Sequence, residues 1–191
     1  MQRCLMGAFA IGNKGYIGTG NTPSSGTFGD LWEYDPVTNV WTQKANLPGV
    51  VRRRPIGFSS NGKGYFGLGY DPATNTCLSD FYEFNPAANT WVQKANFPSA
   101  GRFGAIAFSV GTKGYVGAGS DLATGLYYND LWEYNPATNS WAAKASFPGG
   151  LRTGASAFTV GNNGYVGQGA DDLGNYYSDL WEYNPAANGW T

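Results

Sequence analysis

Apolar and polar positions alternate along this chain in short bursts of four to seven residues, and the order of the bursts returns with a fixed period. The clearest copy is Asp30–Trp41, DLWEYDPVTNVW, which recurs at Asp80–Trp91, Asp130–Trp141 and Asp179–Trp190. The closing tryptophans stand at 41, 91, 141 and 190, so the steps are 50, 50 and 49 residues. Alternation with period two predicts strands, with successive side chains on opposite faces. Four strands per unit follow, named A to D. Strand A is Ala8–Ile11, Gly57–Ser60, Ala107–Val110 and Ala157–Val160, where one Phe sits among small residues. Strand B is KGYIGTG from Lys14 to Gly20 and its copies. Strand C runs from Asp30 to Tyr34, with Trp32 and Tyr34 on one face and Leu31 and Glu33 on the other. Strand D opens at the closing Trp, and Pro48, Pro98 and Pro148 stop it.

Gly and Asn between A and B, which tolerate positive φ, and the Asp-Pro or Asn-Pro turn after C predict tight antiparallel hairpins. A unit this long and rich in Gly, Tyr and Trp matches a propeller blade rather than a helical solenoid. One such unit cannot bury its own apolar faces, so stacked neighbours must create the core. The expectation is an all-β propeller with four blades per chain, each a four-stranded antiparallel meander. The blades fall at about 3–48, 49–98, 99–148 and 149–191, in a single propeller domain or half-propeller. The four tryptophans are expected to pack between blades.

Composition narrows the function. The chain has 191 residues and a formal net charge of −1, whereas binding to nucleic acid by counterion release asks for a basic surface. No apolar run approaches the roughly 18 residues needed to cross a bilayer, so membrane insertion is not expected. The apolar stretch Leu5–Ile11 aligns with strand A of later units and reads as a strand, not a signal peptide. The absence of histidine removes imidazole bases, His-containing triads and His-bearing zinc or copper sites. No metal or other cofactor is expected. Cys4 and Cys77 read as two free thiols, with a single bridge as the alternative.

The spacing of seven from Tyr34, Phe84, Tyr134 and Tyr183 to the closing Trp, the preceding Gly-Tyr strand and the period of 50 resemble kelch repeats over the whole chain. One departure is consistent. The family's adjacent glycine pair is here Gly-x-Gly, at Gly18 and Gly20 and its three copies. The resemblance implies the propeller, and its likeness to kelch repeats of secreted or surface bacterial proteins implies such a location.

Candidate chemistry lies where the copies differ. The six lysines and the repeated acids (Asp30, Asp80, Asp130, Asp179; Glu33, Glu83, Glu133, Glu182) occupy equivalent positions and read as scaffold, because catalysis needs carboxylates in unlike environments. The arginines, in contrast, all lie in or beside the D-to-A passages: Arg3, Arg52, Arg102 and Arg152 at equivalent sites, with Arg53 and Arg54 extra. In a meander these passages share a face with the B–C loops (21–29, 70–79, 120–129, 170–178), which carry Tyr70, Tyr127, Tyr128, Tyr176, Tyr177, Asp71, Asp121 and Asp171. Loops on a rigid scaffold concentrate binding residues. The expected function is a non-enzymatic module that binds a glycan or protein through this face, with Arg52, Arg53, Arg54, Arg102 and Arg152 around the channel mouth. Asp171 and Asp172 lack the alternating Asp spacing of a calcium loop.

Two alternatives stand beside this. One is a structural assembly unit. The other follows from the resemblance, since kelch propellers include a copper radical oxidase and a sugar mutarotase. The first needs histidine ligands; the second would need Arg52 or Arg102 to meet Asp71 or Asp121. Ring closure is expected from two chains paired head to tail in an eight-bladed homodimer, since eight blades ask a smaller change of angle than four; the alternative is a compact four-bladed monomer whose end blades meet.

Overall fold

A computed structural model describes residues 3–22 and 26–191 and contains four sheets of four antiparallel strands. Strand A comprises Gly7–Ile11, Ile56–Ser60, Ile106–Val110 and Ser156–Val160; strand B Lys14–Gly18, Lys63–Gly67, Lys113–Gly117 and Asn163–Gly167. Strand C comprises Leu31–Asp35, Phe81–Asn85, Leu131–Asn135 and Leu180–Asn184; strand D Val40–Lys44, Thr90–Gln93, Ser140–Lys144 and Gly189–Trp190. Each sheet is ordered A-B-C-D. This is the expected all-β propeller. Two short ribbons, Asn21–Thr22 with Gly26–Thr27 and Tyr70–Asp71 with Thr76–Cys77, stiffen the first two B–C loops.

Two strand boundaries differ from the expectation. Strand D begins one residue before its Trp in all four blades. Strand B stops at the first glycine of Gly-x-Gly, because the next two residues turn left-handed: Thr19, Leu68, Ala118 and Gln168 at φ 50–63°, then Gly20, Gly69, Gly119 and Gly169 at 83–99°. The turn delivers Thr19 N–H to the Asp30 carbonyl within the blade. It also delivers Gly20 N–H to the Arg52 carbonyl of the next blade, and Gly69 and Gly119 repeat that bond to Arg102 and Arg152. A Cβ on Gly18 would meet the Asp30 carbonyl oxygen at 2.5 Å, so the first glycine is required by close approach rather than by φ.

Blades join through a repeated contact. The strand-A rings Phe9, Phe58 and Phe108 lie where a side chain on Gly64, Gly114 or Gly164 of the next blade would be. Around each ring the neighbouring blade buries Phe66, Val116 or Val166 completely, and likewise Phe84, Tyr134 or Tyr183. The indole N–H groups of Trp91, Trp141 and Trp190 donate to the carbonyls of Ala45, Ala95 and Ala145 at 2.8–2.9 Å. In return the Ala45, Ala95 and Ala145 N–H groups donate to Asn89, Asn139 and Asn188 Oδ1 at 2.9 Å. Three of the four tryptophans therefore pack between blades. Trp41 departs from the expectation: it packs on Tyr34 of its own blade and is 52% exposed.

The ring is open. Strand A of the first three blades touches strand A of the next, but those of the first and fourth blades make no contact. The alternative form, a compact four-bladed ring with end blades meeting, is thus not the arrangement found.

Because Trp91 fills a joint and Trp41 does not, truncation separates them. Trp91→Ala is expected to cost about 3 kcal/mol, and Trp41→Ala at submicromolar protein less than about 1 kcal/mol, in denaturant unfolding. Equal losses would contradict the joint.

Candidate functional site

The D-to-A passages and B–C loops do share one face. Antiparallel bridges Cys4–Asn21, Arg53–Tyr70, Phe103–Ser120 and Thr153–Ala170 tie each passage to the loop behind it. Within this frame the arginines part into two groups.

Arg52, Arg102 and Arg152 have fully buried side chains. Each guanidinium grips the carboxylate at the start of its own blade's strand C with two nitrogens: Arg52 with Asp80, Arg102 with Asp130, Arg152 with Asp179 at 2.7 and 3.0 Å. A further nitrogen contact reaches the Leu68, Ala118 or Gln168 carbonyl at 3.0–3.1 Å. Tyr128 and Tyr177 cover the guanidinium planes of Arg102 and Arg152 at 3.8 and 4.0 Å. Arg3 forms the same clamp with Asp30 and lies over Phe28 at 4.3 Å. These arginines were expected around a ligand; instead they are internal braces, because the left-handed turn after strand B offers carbonyls to a buried cation. Nor do Arg52 and Arg102 pair with Asp71 or Asp121, as a mutarotase-like site would require.

The loop acids are likewise consumed locally. Asp71 is 3% exposed and accepts from Ala73 N–H and Thr74 Oγ1. Asp121 accepts the equivalent bonds from Ala123 and Thr124. Asp171 accepts from Leu173 N–H, both Asn175 nitrogens and the Tyr177 hydroxyl at 2.8–3.0 Å. The Asn175 side-chain bond, with the other donors, outweighs burial and holds this half-buried carboxyl at about 2. Tyr70 donates to Asn75 Oδ1, and Tyr127 is half-buried. Of the first B–C loop, residues 23–25 lie outside the described residues.

What remains free is a smaller set. Arg54 is exposed, makes no ion pair with a described carboxylate and extends over the Phe103 ring at 5.4 Å. Arg53 is half-buried, with its backbone paired to Tyr70. Tyr176 is 90% exposed. Arg54, Tyr176 and Tyr177 line one depression of about 520 Å³ with Thr153, Gln168 and Ser178. It brings a passage of the second blade together with a loop of the fourth, across the channel mouth. Along the channel the four strand-A segments, including Phe9, Phe58, Phe108 and Phe158, line a further space of about 420 Å³.

The repeated charges on the opposite side serve the blades. Tyr16, Tyr65 and Tyr115 donate to Glu33, Glu83 and Glu133 across strands B and C at 2.6–2.8 Å. Burial first, then the adjacent carboxylate, pushes all three phenols well above the usual tyrosine range. Lys44, Lys94 and Lys144 close the same acids from strand D at 3.2–3.5 Å. Both thiols are free; burial pushes Cys77 up to about 11.

No family model and no curated protein matches this sequence. Among solved structures the chain is similar to the one titled "Structure of YjhT", with a TM-score of 0.81 and 18% identity over 99% of this chain and 70% of that one. At that identity the likeness shows the fold, a β-propeller of four-stranded antiparallel blades, and nothing finer.

Two expectations follow from the clamps. Arg102→Ala leaves Asp130 without its partner and is expected to destabilise the fold by about 3–5 kcal/mol in denaturant unfolding, so any loss of binding in this variant would be secondary. Asp30 and Asp179 also set a pH dependence. Burial tends to raise both carboxyls, but the Arg and Trp indole donors outweigh it and hold them below the usual range. A carboxyl depressed in the folded state contributes fully above its unfolded value of about 3.9 and loses that contribution as pH falls through the folded one. The melting temperature should hold between about pH 7 and 5 and fall steadily below about 4.

Proposed function

We propose that this chain is a kelch-type propeller acting as a non-enzymatic binding module, which takes an acidic or hydroxyl-rich ligand, a glycan or an acidic protein segment, at the channel mouth. One observation carries the reading: Arg54 and Tyr176, both exposed, converge from different blades on one depression.

The backbone adds to it. Leu5, Arg54, Gly104 and Gly154 hold equivalent places on the inner rim, all left-handed at φ 49–68°. Glycine suits that conformation; a side chain there costs on the order of 1–2 kcal/mol. The second blade carries arginine where the third and fourth carry glycine; its guanidinium lies over the Phe103 ring, and Arg54 shares the depression with Gly154, where a Cβ would meet nothing within 4 Å. A cation with five donors, an aromatic face and the amide and hydroxyls of Gln168, Thr153 and Ser178 make a set suited to carboxylate or sugar oxygens. The catalytic alternative draws less support, since no carboxylate lines this depression and the loop acids are saturated within their own loops. A location at the cell surface or outside the cell belongs to the same proposal.

A glycan array with acidic and neutral members, followed by titration calorimetry on the best binder, tests the reading. Arg54→Ala with Tyr176→Ala is expected to weaken binding by about tenfold or more, at least 1.4 kcal/mol, with an unchanged melting temperature. Unchanged affinity in the double variant would remove the depression from the site.

A further inference from the structure

Every joint inside the chain is made from two unlike faces. The trailing face of one blade offers a strand-A phenylalanine, the first large side chain of strand C and the N–H of the second strand-B glycine. The leading face of the next offers a glycine notch in strand B, a closing Trp and the carbonyl of the passage arginine. In the three internal joints Phe9, Phe58 and Phe108 are 8%, 4% and 3% exposed, while Leu31, Phe81 and Leu131 are at most 1% exposed.

One copy of each face is left over, at opposite ends of the arc. On the trailing face of the fourth blade Phe158 is 47% and Leu180 is 60% exposed, and they border a depression of about 270 Å³ beside Gln168. On the leading face of the first blade a Cβ on Gly15 would meet nothing within 4 Å, so the notch that holds a phenyl ring at Gly64, Gly114 and Gly164 stands open. Beside it Trp41, Trp32, Ile17 and Met6 line a depression of about 520 Å³.

We propose that these faces are two halves of a fourth joint, formed between chains. The occupant is a second copy of this chain, docked head to tail. Phe158 of one copy seats in the Gly15 notch of the other, and Leu180 packs on Trp41 as Phe81 packs on Trp141, whose ring centroids lie 5.1 Å apart. Gly169 N–H meets the Arg3 carbonyl as Gly20 N–H meets that of Arg52. Like faces do not fit, because a phenylalanine meeting a phenylalanine finds no notch. Two arcs that each cover the other's end faces close into a two-fold ring of eight blades. The joint borders the channel-mouth depression at Gln168, Gly169 and Ser178 but uses none of Arg54, Tyr176 or Thr153, and its test reads the association of chains, which a failure of ligand binding would leave unchanged.

Light scattering and sedimentation of the chain and two variants test this. Gly15→Leu fills the notch, in a strand position without positive φ. Phe158→Ser removes the ring. Both sites lie on open faces, so circular dichroism and thermal unfolding of the monomer should not change. At about 100 µM the parent is expected near 41 kDa, twice the 20.4 kDa chain, and either variant near 20.4 kDa. A parent at 20.4 kDa at that concentration overturns the proposal and leaves the faces to a different partner. A two-chain species that survives both substitutions overturns it as well. Should Gly15→Leu not fold, Phe158→Ser carries the test alone.

Discussion

A phenyl ring seated in the space of a missing Cβ sets the spacing on which everything else in this protein depends. Phe9, Phe58 and Phe108 each enter a glycine notch of the next blade, and only glycine lets strand B approach strand A of its neighbour closely enough. With that distance fixed, the indole of the closing Trp reaches an alanine carbonyl across the joint and the turn after strand B reaches the next passage. Alanine in the notch would overlap the ring, and a smaller residue in place of the phenylalanine would leave a cavity whose lining loses its contacts outright. Each blade touches only its neighbours, so stability accrues as a sum over joints. The ends of such a row are where the sum is incomplete, and they hold the large exposed apolar side chains Phe158, Leu180 and Trp41.

The same face carries two kinds of arginine for one physical reason. A guanidinium buried without partners would be costly, and a four-fold repeat supplies partners four-fold: a carboxylate at the start of strand C and a carbonyl from the left-handed turn. Arginine at the repeat-equivalent position is therefore brace rather than bait. Arg54 has no arginine at its equivalent positions, no ion pair with a described carboxylate and a strained backbone beneath it. Symmetry builds the scaffold, and the breaks in symmetry at Arg54 and Tyr176 are what a ligand could distinguish.

Much of this was legible from the residues in order. Period-two bursts returning every 50 residues marked the strands, because a strand's alternation is a local property of the pleat. The Gly-x-Gly departure was legible too, although not the left-handed turn it makes or that turn's bond to the next blade. The repeated acids read correctly as acceptors, since four equivalent carboxylates cannot be tuned apart. The placement of Arg52, Arg102 and Arg152 was read incorrectly, because confinement to loops suggests exposure, whereas burial depends on what the neighbouring turn presents. Asp71, Asp121 and Asp171 were lost to the site similarly, each carboxylate closing its own loop two to six residues on.

The sequence by itself determined the blade: its four strands, its turns, the tryptophan that ends it and the number of copies, all of which rest on neighbours within about 50 residues. Only the tertiary structure decided how blades meet, which arginine is free and that the arc stays open between its first and fourth members. Those outcomes depend on distances between residues one or more repeats apart, and a chain whose repeats are nearly alike carries the same letters at a filled joint and at an open one. Trp41 and Trp91 are the plainest instance, equivalent in the repeat yet 52% exposed in one case and bonded across a joint in the other.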